Sequence, residues 1–230
     1  MKRPAAIATI TACCIMAAAR PALAVPSGAR AKKTSRDITL LDIFFVILQK
    51  ISTKQAMHPL EKFTYCPVCG SKHFAEHNAK SKQCENCGFT YYMNPSAATA
   101  AFITNGRGEL LVERRGKEPA KGTLDLPGGF IDNDETAEEG VAREILEETG
   151  LTVTSAKYMF SLPNIYLYSG ITIHTLDMFF RCTVDEGAAP AAADDAAECF
   201  WLPLGEIHTE QFGLRSIRQA LYMFLKEHGL

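Results

Sequence analysis

A cluster of glutamates at helical spacing lies in the middle of the chain. Glu144, Glu147 and Glu148 stand within a segment, residues 135–149, that is rich in alanine and glutamate. These residue types favour a helix, and side chains three and four residues apart share one helix face. The three carboxylates would repel one another unless a cation neutralised them. The segment therefore predicts a helix that binds a hard divalent cation such as Mg²⁺, which prefers oxygen ligands.

The flanking residues indicate where this helix begins and ends. Gly128 and Gly129 follow Pro127 and interrupt regular structure, whereas Gly150 suits a helix C-terminus. On the side of the helix away from the glutamates, we expect three apolar residues to face a core. These residues are Ala142, Ile145 and Leu146.

Further strands and one further helix are predicted around this segment. Residues 97–104 and 109–114 flank a glycine-rich turn and are predicted to pair as a hairpin. Later strands are expected at residues 158–160, 175–184 and 200–202, followed by a C-terminal helix whose apolar face contains Ile217, Ala220, Leu221, Phe224 and Leu225. Strands around a central helix with a closing helix imply an α/β fold, a sheet packed between helices.

The central segment also carries a complete family motif. Residues 129–151 fill every specified position of the Nudix box, so the chain resembles a Nudix hydrolase. The specified residues are Gly129, Glu135, Arg143, Glu144, Ile145, Glu147, Glu148, Gly150 and Leu151. The resemblance implies an α/β/α sandwich with a mixed sheet over residues 95–230. It also implies that water attacks a phosphorus atom of a nucleoside diphosphate while Mg²⁺ or Mn²⁺ ions bridge the phosphates and the helix glutamates.

The resemblance implies which residues of the box bind the metal. Glu144, Glu147 and Glu148 are the expected side-chain ligands, and the backbone carbonyl of Gly129 is expected to join them. Glu135 is expected to act either as a further metal ligand or as an anchor of the preceding loop.

The expected catalytic residues are Glu147, Glu148 and Arg143. Arg143 stands four residues before Glu147, within reach of an ion pair on the helix face that would hold the carboxylate in place. The general base is expected either from the box or from a later loop, where the candidates are Asp194, Asp195 and Glu198.

A second motif that could bind a metal precedes the first predicted strand. Cys66, Cys69, Cys84 and Cys87 form two C-x-x-C-G turns, and four thiolates from two such turns suit tetrahedral zinc. Residues 62–92 resemble a zinc ribbon, in which four cysteines leave no open position and the zinc is structural. Two disulfides are the alternative if the chain is exported. The histidines between the turns, His73 and His77, are expected to be surface residues.

The N-terminal residues allow three interpretations. Residues 1–24 have the basic, apolar and small-residue regions of an export signal, but Met57 could be the true start, and an organelle transit peptide is a third alternative. Residues 25–61 are predicted to be a linker with a short apolar helix at 38–48, which is too short to span a bilayer. A cytoplasmic location without membrane association is expected, because a cytosolic nucleotide substrate and a zinc–thiolate site both argue against export.

The charge distribution restricts the kinds of partner that the protein can bind. Residues 1–36 carry seven basic side chains and no acidic one. The remainder of the chain therefore holds all 26 acidic residues but only 17 of the 24 basic ones, and its net charge is negative. An acidic body argues against non-specific binding of nucleic acid, which requires positive charge. The expected partner is a nucleotide-derived small molecule, and a homodimer is left open.

The substrate is only partly indicated. A zinc ribbon before a Nudix box resembles the NADH pyrophosphatase branch, whose members split NADH and can remove NAD caps from RNA. That branch carries a Ser-Gln-Pro-Trp stretch after the box, of which this chain has only Ser161 and Pro163. Tyr166 and Tyr168 could stack on a base.

We therefore expect a Mg²⁺-dependent hydrolase that cleaves the phosphoanhydride of a nucleoside diphosphate linked to another group, such as NADH or ADP-ribose. NAD-capped RNA is not the favoured substrate. The alternative is a catalytically weak Nudix ligand sensor or binding module whose ribbon docks a partner.

Overall fold

Nine strands and two α-helices form the part of the chain that the computed structural model describes, residues 58–185, 189–193 and 196–230. The predicted leader at 1–24, most of the predicted linker and Met57 lie outside the described residues. The elements in chain order are β1 (Phe74–Asn78), β2 (Ser81–Cys84), β3 (Thr90–Tyr92), β4 (Ser96–Ile103), β5 (Glu109–Arg115), β6 (Leu124–Asp125), α1 (Ala137–Thr149), β7 (Val153–Tyr168), β8 (Ile171–Val184), β9 (Ala196–Pro203) and α2 (Arg215–Glu227).

The strands form three sheets of three strands each within the described residues. The first, in the order β1-β2-β3, is antiparallel. The second, in the order β4-β8-β7, pairs β4 with β8 in parallel and β8 with β7 in antiparallel orientation. The third, in the order β6-β5-β9, is antiparallel. The last two sheets together give the mixed strand directions that the sequence predicted.

Alternating residues of β4 divide the core into two halves. Ala100 and Phe102 belong to an apolar cluster with α2, whereas Ala101 and Ile103 belong to a second cluster with α1. The ring of Phe102 stacks on that of Phe224 in α2, with ring centroids 4.2 Å apart. Because side chains alternate between the faces of a strand, a helix covers each face of the sheet. This arrangement confirms the predicted α/β/α sandwich.

Helix α1 begins and ends at residues that cap it. Thr136 accepts a hydrogen bond from the backbone N–H of Glu139, and the Glu139 side chain accepts one from the backbone N–H of Thr136. This reciprocal capping box satisfies backbone donors that the first turn would otherwise leave unpaired. At the other end, Gly150 adopts a left-handed conformation with φ of 70°, in agreement with its predicted role as a helix stop.

The face that α1 turns to the core differs from the prediction. Leu146, expected in the core, is 51% exposed, and Ala142 is only partly buried. The inward stripe instead contains Val141, Ile145 and Glu148, which follow one another at steps of four and three residues. Glu148 therefore points into the molecule, and the three glutamates do not lie on one solvated face.

The predicted hairpin between residues 97–104 and 109–114 is wrong in its pairing, although both strands exist. β4 pairs with β8, β5 pairs with β6 and β9, and a single bridge from Thr104 to Leu110 connects β4 and β5. The other edge of β4 is occupied by the glycine-rich segment before α1. The backbone N–H groups of Thr99 and Ala101 donate to the carbonyls of Gly129 and Pro127, each at 2.8 Å. These bonds fix the box loop against β4 and leave no edge for β5.

Strands β7 and β8 pair as a hairpin, and each is longer than the strand predicted at 158–160 or 175–184. Residues 161–168 continue β7, and Asn164 pairs with Thr175 and Leu162 with Asp177 across the hairpin. Pro163 is tolerated because β7 is an edge strand, where one side of the backbone needs no donor. In the described part of the chain, no helix is long and apolar enough to cross a membrane.

Candidate active site

A cavity of about 570 Å³ lies beside the box helix. Glu144, Glu147 and Glu148 line it from α1, and Gly128 and Gly129 line it from the loop before α1. Strands β4, β5, β7 and β8 contribute further lining residues, and so does the start of α2. The cavity therefore joins the predicted metal ligands to parts of the chain that the box motif does not include.

Glu148 is the most buried of the three box glutamates. The residue is 5% exposed, and its Oε2 accepts a hydrogen bond of 2.9 Å from the backbone N–H of Gly128. Burial raises the pKa of the Glu148 carboxyl to about 8, although the Gly128 N–H opposes the shift. The loop before α1 therefore fixes the orientation of the Glu148 carboxyl group.

Glu113 is a functional candidate that the sequence prediction missed. It lies on β5, is 3% exposed, and its Oε2 has no hydrogen-bond partner. Burial, followed by the negative charge of Glu148, raises the pKa of the Glu113 carboxyl to about 10. A signal was present in the sequence, because an acid two residues after Leu111 falls on the face of the strand that Leu111 turns to the core.

Two further charged residues surround Glu113. Asp125 pairs with Glu113 across the β5–β6 ladder, and its Oδ2 accepts a hydrogen bond of 2.6 Å from Nη1 of Arg115. Burial raises the pKa of the Asp125 carboxyl, against the attraction of Arg115. Three buried carboxyl groups thus stand beside one guanidinium, and one carboxyl oxygen has no partner. Buried charge that is not compensated is costly, so this set of oxygen donors fits a hard divalent cation.

Arg143 connects the other box carboxylates. Its guanidinium donates to both oxygens of Glu135, at 2.8 and 2.9 Å, to Oε1 of Glu144 at 2.9 Å, and to Oε2 of Glu147 at 3.1 Å. The remaining bond, 3.0 Å, goes to the carbonyl of Phe130. The predicted pair with Glu147 is present, but the forked contact with Glu135 is the shortest and most directional.

Glu135 is placed as a loop anchor in this structure. Its Oε2 accepts the backbone N–H of Asp132 at 3.0 Å in addition to the guanidinium of Arg143. These bonds, with the Arg143 side chain first, lower the pKa of the Glu135 carboxyl. Of the two roles expected for Glu135, the geometry favours the anchor over the metal ligand.

The two glycines of the loop are required by close contacts. A Cβ on Gly129 would lie 2.4 Å from Cδ of Glu144, and a Cβ on Gly128 would lie 2.3 Å from the carbonyl oxygen of Thr99. The carbonyl of Gly129 accepts hydrogen bonds from the backbone N–H and the hydroxyl of Thr99, at 2.8 and 3.4 Å. A metal bound to this carbonyl would have to displace one of them, so Gly129 as a ligand stays a prediction.

Glu198, the general-base candidate of the later loop that the structure describes, does not line the cavity. Asp194 and Asp195 lie outside the described residues. The Glu198 side chain is 60% exposed and pairs with Nε of Arg114 at 2.8 Å. Tyr168 lines the cavity, whereas the side chain of Tyr166 is not described.

Removal of Arg143 should misorient the carboxylates of Glu135, Glu144 and Glu147 without a change in the hydrophobic core. We expect Arg143→Ala to lower kcat/KM by about 100-fold, as for other residues that orient metal ligands. Because Lys cannot reproduce a planar fork, Arg143→Lys should recover only a small part of that loss. Steady-state kinetics at varied Mg²⁺ would check this, with Arg114→Ala as the control, because Arg114 does not line the cavity. Full activity in Arg143→Lys would contradict the orienting role.

The four cysteines of the predicted ribbon meet at one point. All four Sγ atoms lie within 4.8 Å of one another, with Cys66 to Cys87 at 3.7 Å and Cys69 to Cys84 at 3.6 Å. Tetrahedral zinc with bonds of about 2.3 Å would hold sulfurs roughly 3.8 Å apart, close to these separations. The four cysteines are free, so the alternative of two disulfides is wrong for this structure.

The surroundings of the cysteine cluster favour a thiolate at Cys69. The backbone N–H of Ser71, followed by the amide of Asn86, lowers the pKa of the Cys69 thiol to about 6. Against a backbone hydrogen bond from Phe89 that lowers it, the side chains of the other three cysteines raise the pKa of the Cys87 thiol to about 12. His73 and His77 are exposed, as predicted, and neither belongs to the cluster. The donor set of four sulfurs therefore fits a closed, structural metal site.

Comparison with known proteins agrees with this geometry. The chain is 29% identical over 106 residues to the NAD-capped RNA hydrolase NudC of Vibrio cholerae, a match that covers 46% of this chain and 39% of that protein. It is 35% identical over 121 residues to the ADP-ribose pyrophosphatase of Methanocaldococcus jannaschii, covering 52% and 68% of the two chains. The matches thus span between 39% and 59% of the length of the NudC proteins.

A solved structure and a family model complete the comparison. A NUDIX hydrolase from Nitrosomonas europaea superposes with a TM-score of 0.57 and 22% identity, over 72% of this chain and 92% of that chain, and so shares its fold. The model of the NUDIX domain matches residues 93–222. Since this match covers more than half of the chain, the protein belongs to the NUDIX domain family.

Proposed function

We propose that this protein is a pyrophosphohydrolase that cleaves the phosphoanhydride of a nucleoside diphosphate linked to another group. The observation that carries the proposal is the buried pair of Glu113 and Glu148 in the wall of a cavity that Glu144 and Glu147 also line. A binding module would need the cavity, but it would not need uncompensated carboxylates in its wall. Catalysis is therefore favoured over the ligand sensor.

The residues proposed to hold Mg²⁺ or Mn²⁺ are Glu144, Glu147 and Glu148, joined by Glu113. When bound, such a cation polarises phosphoryl oxygens and lowers the pKa of its bound water. The chain prepares the ligands for this task. Gly128 directs the Glu148 carboxylate through its backbone N–H, and Arg143 holds Glu144 and Glu147 through one nitrogen.

Basic residues of the cavity supply a place for the phosphates. Arg115 and Lys117 line it from the end of β5 and the loop that follows. Positive side chains attract the pyrophosphate to an otherwise acidic site. Arg115 is fixed by Asp125 and by a bond of 2.7 Å from its Nε to the carbonyl of Pro119. We propose that these two cations orient the substrate so that its phosphates meet the glutamates.

ADP-ribose is the first candidate substrate and NADH the second. The relative named as an ADP-ribose pyrophosphatase is 35% identical and covered over 68% of its length, whereas the NudC protein of Vibrio cholerae is 29% identical and covered over 39%. NAD-capped RNA ranks last, because an acidic protein repels a long polyanion. We also propose that Cys66, Cys69, Cys84 and Cys87 bind a structural zinc.

A test of the buried pair is Glu113→Gln. Without the second carboxyl group, we expect the Mg²⁺ dissociation constant to rise about tenfold. The metal-free protein should become more thermostable at neutral pH, because Glu113 with its raised pKa must take up a proton on folding and glutamine need not. Calorimetric titration with Mg²⁺ and thermal melts with EDTA would measure both effects. Glu198→Gln, which removes an exposed acid from the neighbouring strand, should change neither. Unchanged Mg²⁺ affinity in Glu113→Gln would show that Glu113 does not contribute to metal binding.

The proposed activity can be tested with a panel of nucleotides. The full-length protein is incubated with ADP-ribose, NADH, diadenosine polyphosphates, nucleoside triphosphates and NAD-capped RNA, with and without Mg²⁺, and the products are separated by chromatography. We expect Mg²⁺-dependent cleavage of ADP-ribose to AMP and ribose 5-phosphate. Ligand binding without cleavage across the whole panel would favour the sensor instead.

A further inference from the structure

Asp125 lies next to both the guanidinium of Arg115 and a carboxyl group proposed to bind the metal. It pairs with Glu113 across the β5–β6 ladder, and Arg115 stands two residues after Glu113 on the same face of β5. Oδ2 of Asp125 accepts a hydrogen bond of 2.6 Å from Nη1 of Arg115, and its Oδ1 accepts one of 2.9 Å from the backbone N–H of Leu126. Both oxygens of this carboxyl group are therefore fixed in orientation.

A carboxyl group at this position is costly for the fold. Asp125 is 4% exposed, and like charges that lie directly opposite each other in a ladder repel. Burial, Glu148 and Asp125 raise the pKa of the Glu113 carboxyl, and the guanidinium of Arg115 opposes that shift. The charge of Arg115 thus already acts on Glu113. Without Asp125, the guanidinium would be left beside Glu113 with no other acid in this ladder to hold it.

A guanidinium paired with Glu113 would impair both parts of the cavity. It would occupy oxygens proposed to bind the divalent cation, and it would be drawn away from the phosphates. In the structure, Arg115 instead donates to Asp125 and, from Nε, to the carbonyl of Pro119 at 2.7 Å. Its side chain is 22% exposed and lines the cavity. These two bonds use two of the five N–H groups of a guanidinium, so three can donate to phosphate oxygens.

We propose that Asp125 is a positioning residue that keeps Arg115 apart from the metal ligands and directs it to the phosphates of the substrate. The inference rests on the proposed function, because it concerns the metal and the phosphates of that site. Asparagine at this position has one acceptor oxygen, so it cannot keep both the bond to Arg115 and the bond to Leu126. It also carries no charge, and the attraction between Arg115 and Glu113 would then be unopposed.

A double-mutant cycle of Asp125→Asn and Arg115→Gln tests this separation on the metal side. In calorimetric titrations of the full-length protein with Mg²⁺, we expect Asp125→Asn to weaken binding about tenfold, because the released guanidinium competes for Glu113. Arg115→Gln should restore most of that affinity in the Asp125→Asn protein and change it by less than about threefold in the wild type. Equal effects of Arg115→Gln in both proteins would contradict the separation.

Glu109→Gln is the matched control for this cycle. Glu109 is also an acid of β5 that pairs with an arginine, Arg107, at 2.8 Å, but it does not line the cavity. Its substitution should leave the affinity for Mg²⁺ unchanged.

Binding of AMP at saturating Mg²⁺ tests the phosphate side without turnover, because AMP has no phosphoanhydride bond. The loss of a negative charge would by itself tighten the binding of an anion. We expect the opposite, an affinity about tenfold weaker in Asp125→Asn. The KM for ADP-ribose should rise by a similar factor, with kcat changed by less than about threefold. A merely structural role would lower kcat through the fraction of folded enzyme and leave KM and the affinity for AMP unchanged.

The outcomes distinguish this inference from the proposed function. If Asp125→Asn does not fold, Arg115→Gln is compared with the double variant, which has no unpaired guanidinium. Affinities for AMP that agree within about twofold would support the role of Asp125 through Arg115, and tighter binding by the double variant would contradict it. The expected Mg²⁺ cycle in a protein that hydrolyses no nucleotide would support the positioning role and contradict the hydrolase. Hydrolysis of ADP-ribose with additive effects in the cycle would contradict the positioning role alone.

Discussion

Glu148→Gln is expected to lower Mg²⁺-dependent kcat by about 10³-fold or more, comparable to the loss of other groups that stabilise developing charge at a reacting phosphoryl or acyl centre. The expectation follows from the position of Glu148, which is buried, directed by Gly128 and adjacent to Glu113. The fold should survive. The amide oxygen of glutamine can still accept the Gly128 N–H, and a buried acid whose pKa is raised on folding is replaced by a neutral group.

Turnover and stability must be measured on the same samples to separate these effects. We expect Glu148→Gln to melt at or above the temperature of the wild-type protein in EDTA while its kcat collapses. Glu138→Gln, on the exposed first turn of the same helix, is the matched control and should retain full activity. Wild-type turnover in Glu148→Gln would show that the carboxylate does not serve the reaction.

Cys84→Ser should remove the zinc and unfold the ribbon. In the described residues the ribbon has a very small core of its own, with Cys66, Phe74 and Cys84 buried and Phe63 and Phe89 packed against them. A core of this size cannot stabilise the segment, so metal binding must do so; in zinc-finger peptides it supplies about 10–16 kcal/mol. The variant should contain no zinc, against about one ion in the wild-type protein.

Metal analysis and limited proteolysis would measure the two parts of this prediction. Residues 62–92 should become the preferred site of cleavage in Cys84→Ser and in wild-type protein treated with a strong chelator. His73→Ala, an exposed residue between the two cysteine pairs, should keep both its zinc and its resistance to protease. A wild-type protein without zinc, or a Cys84→Ser variant as resistant as the wild type, would contradict the proposed structural metal.

The parts of the molecule that sequence reasoning predicted well are those fixed by local chemistry. The box helix, its glycine stop and the meeting of four cysteines depend on spacing within short segments. Glu148 shows the limit of such reasoning. Its position next to Glu144 and Glu147 follows from the spacing within the helix. Its burial, however, depends on which side of α1 packs on the sheet. Val141 and Ile145 decide that side, whereas Leu146 is left exposed.

The parts that were missed depend on contacts between distant segments. The pairing of β4 with β8 instead of β5 follows from the glycine-rich loop that occupies the other edge of β4, 25 or more residues along the chain. Glu113 of β5 interacts with Glu148 of α1, and β7 continues through residues 161–168, beyond the strand predicted at 158–160. The pairing partner of β4 and the burial of Glu113 cannot be predicted from the residues next to them in the sequence.

The central claim is that this chain hydrolyses the pyrophosphate bond of a nucleoside diphosphate derivative with the help of a cation held by its glutamates. ³¹P NMR of ADP-ribose with the wild-type protein tests it most directly. With Mg²⁺, the two pyrophosphate resonances should disappear and be replaced by the monophosphate resonances of AMP and ribose 5-phosphate, and EDTA should prevent the change. Pyrophosphate resonances that persist with Mg²⁺ for ADP-ribose and NADH alike would contradict the account.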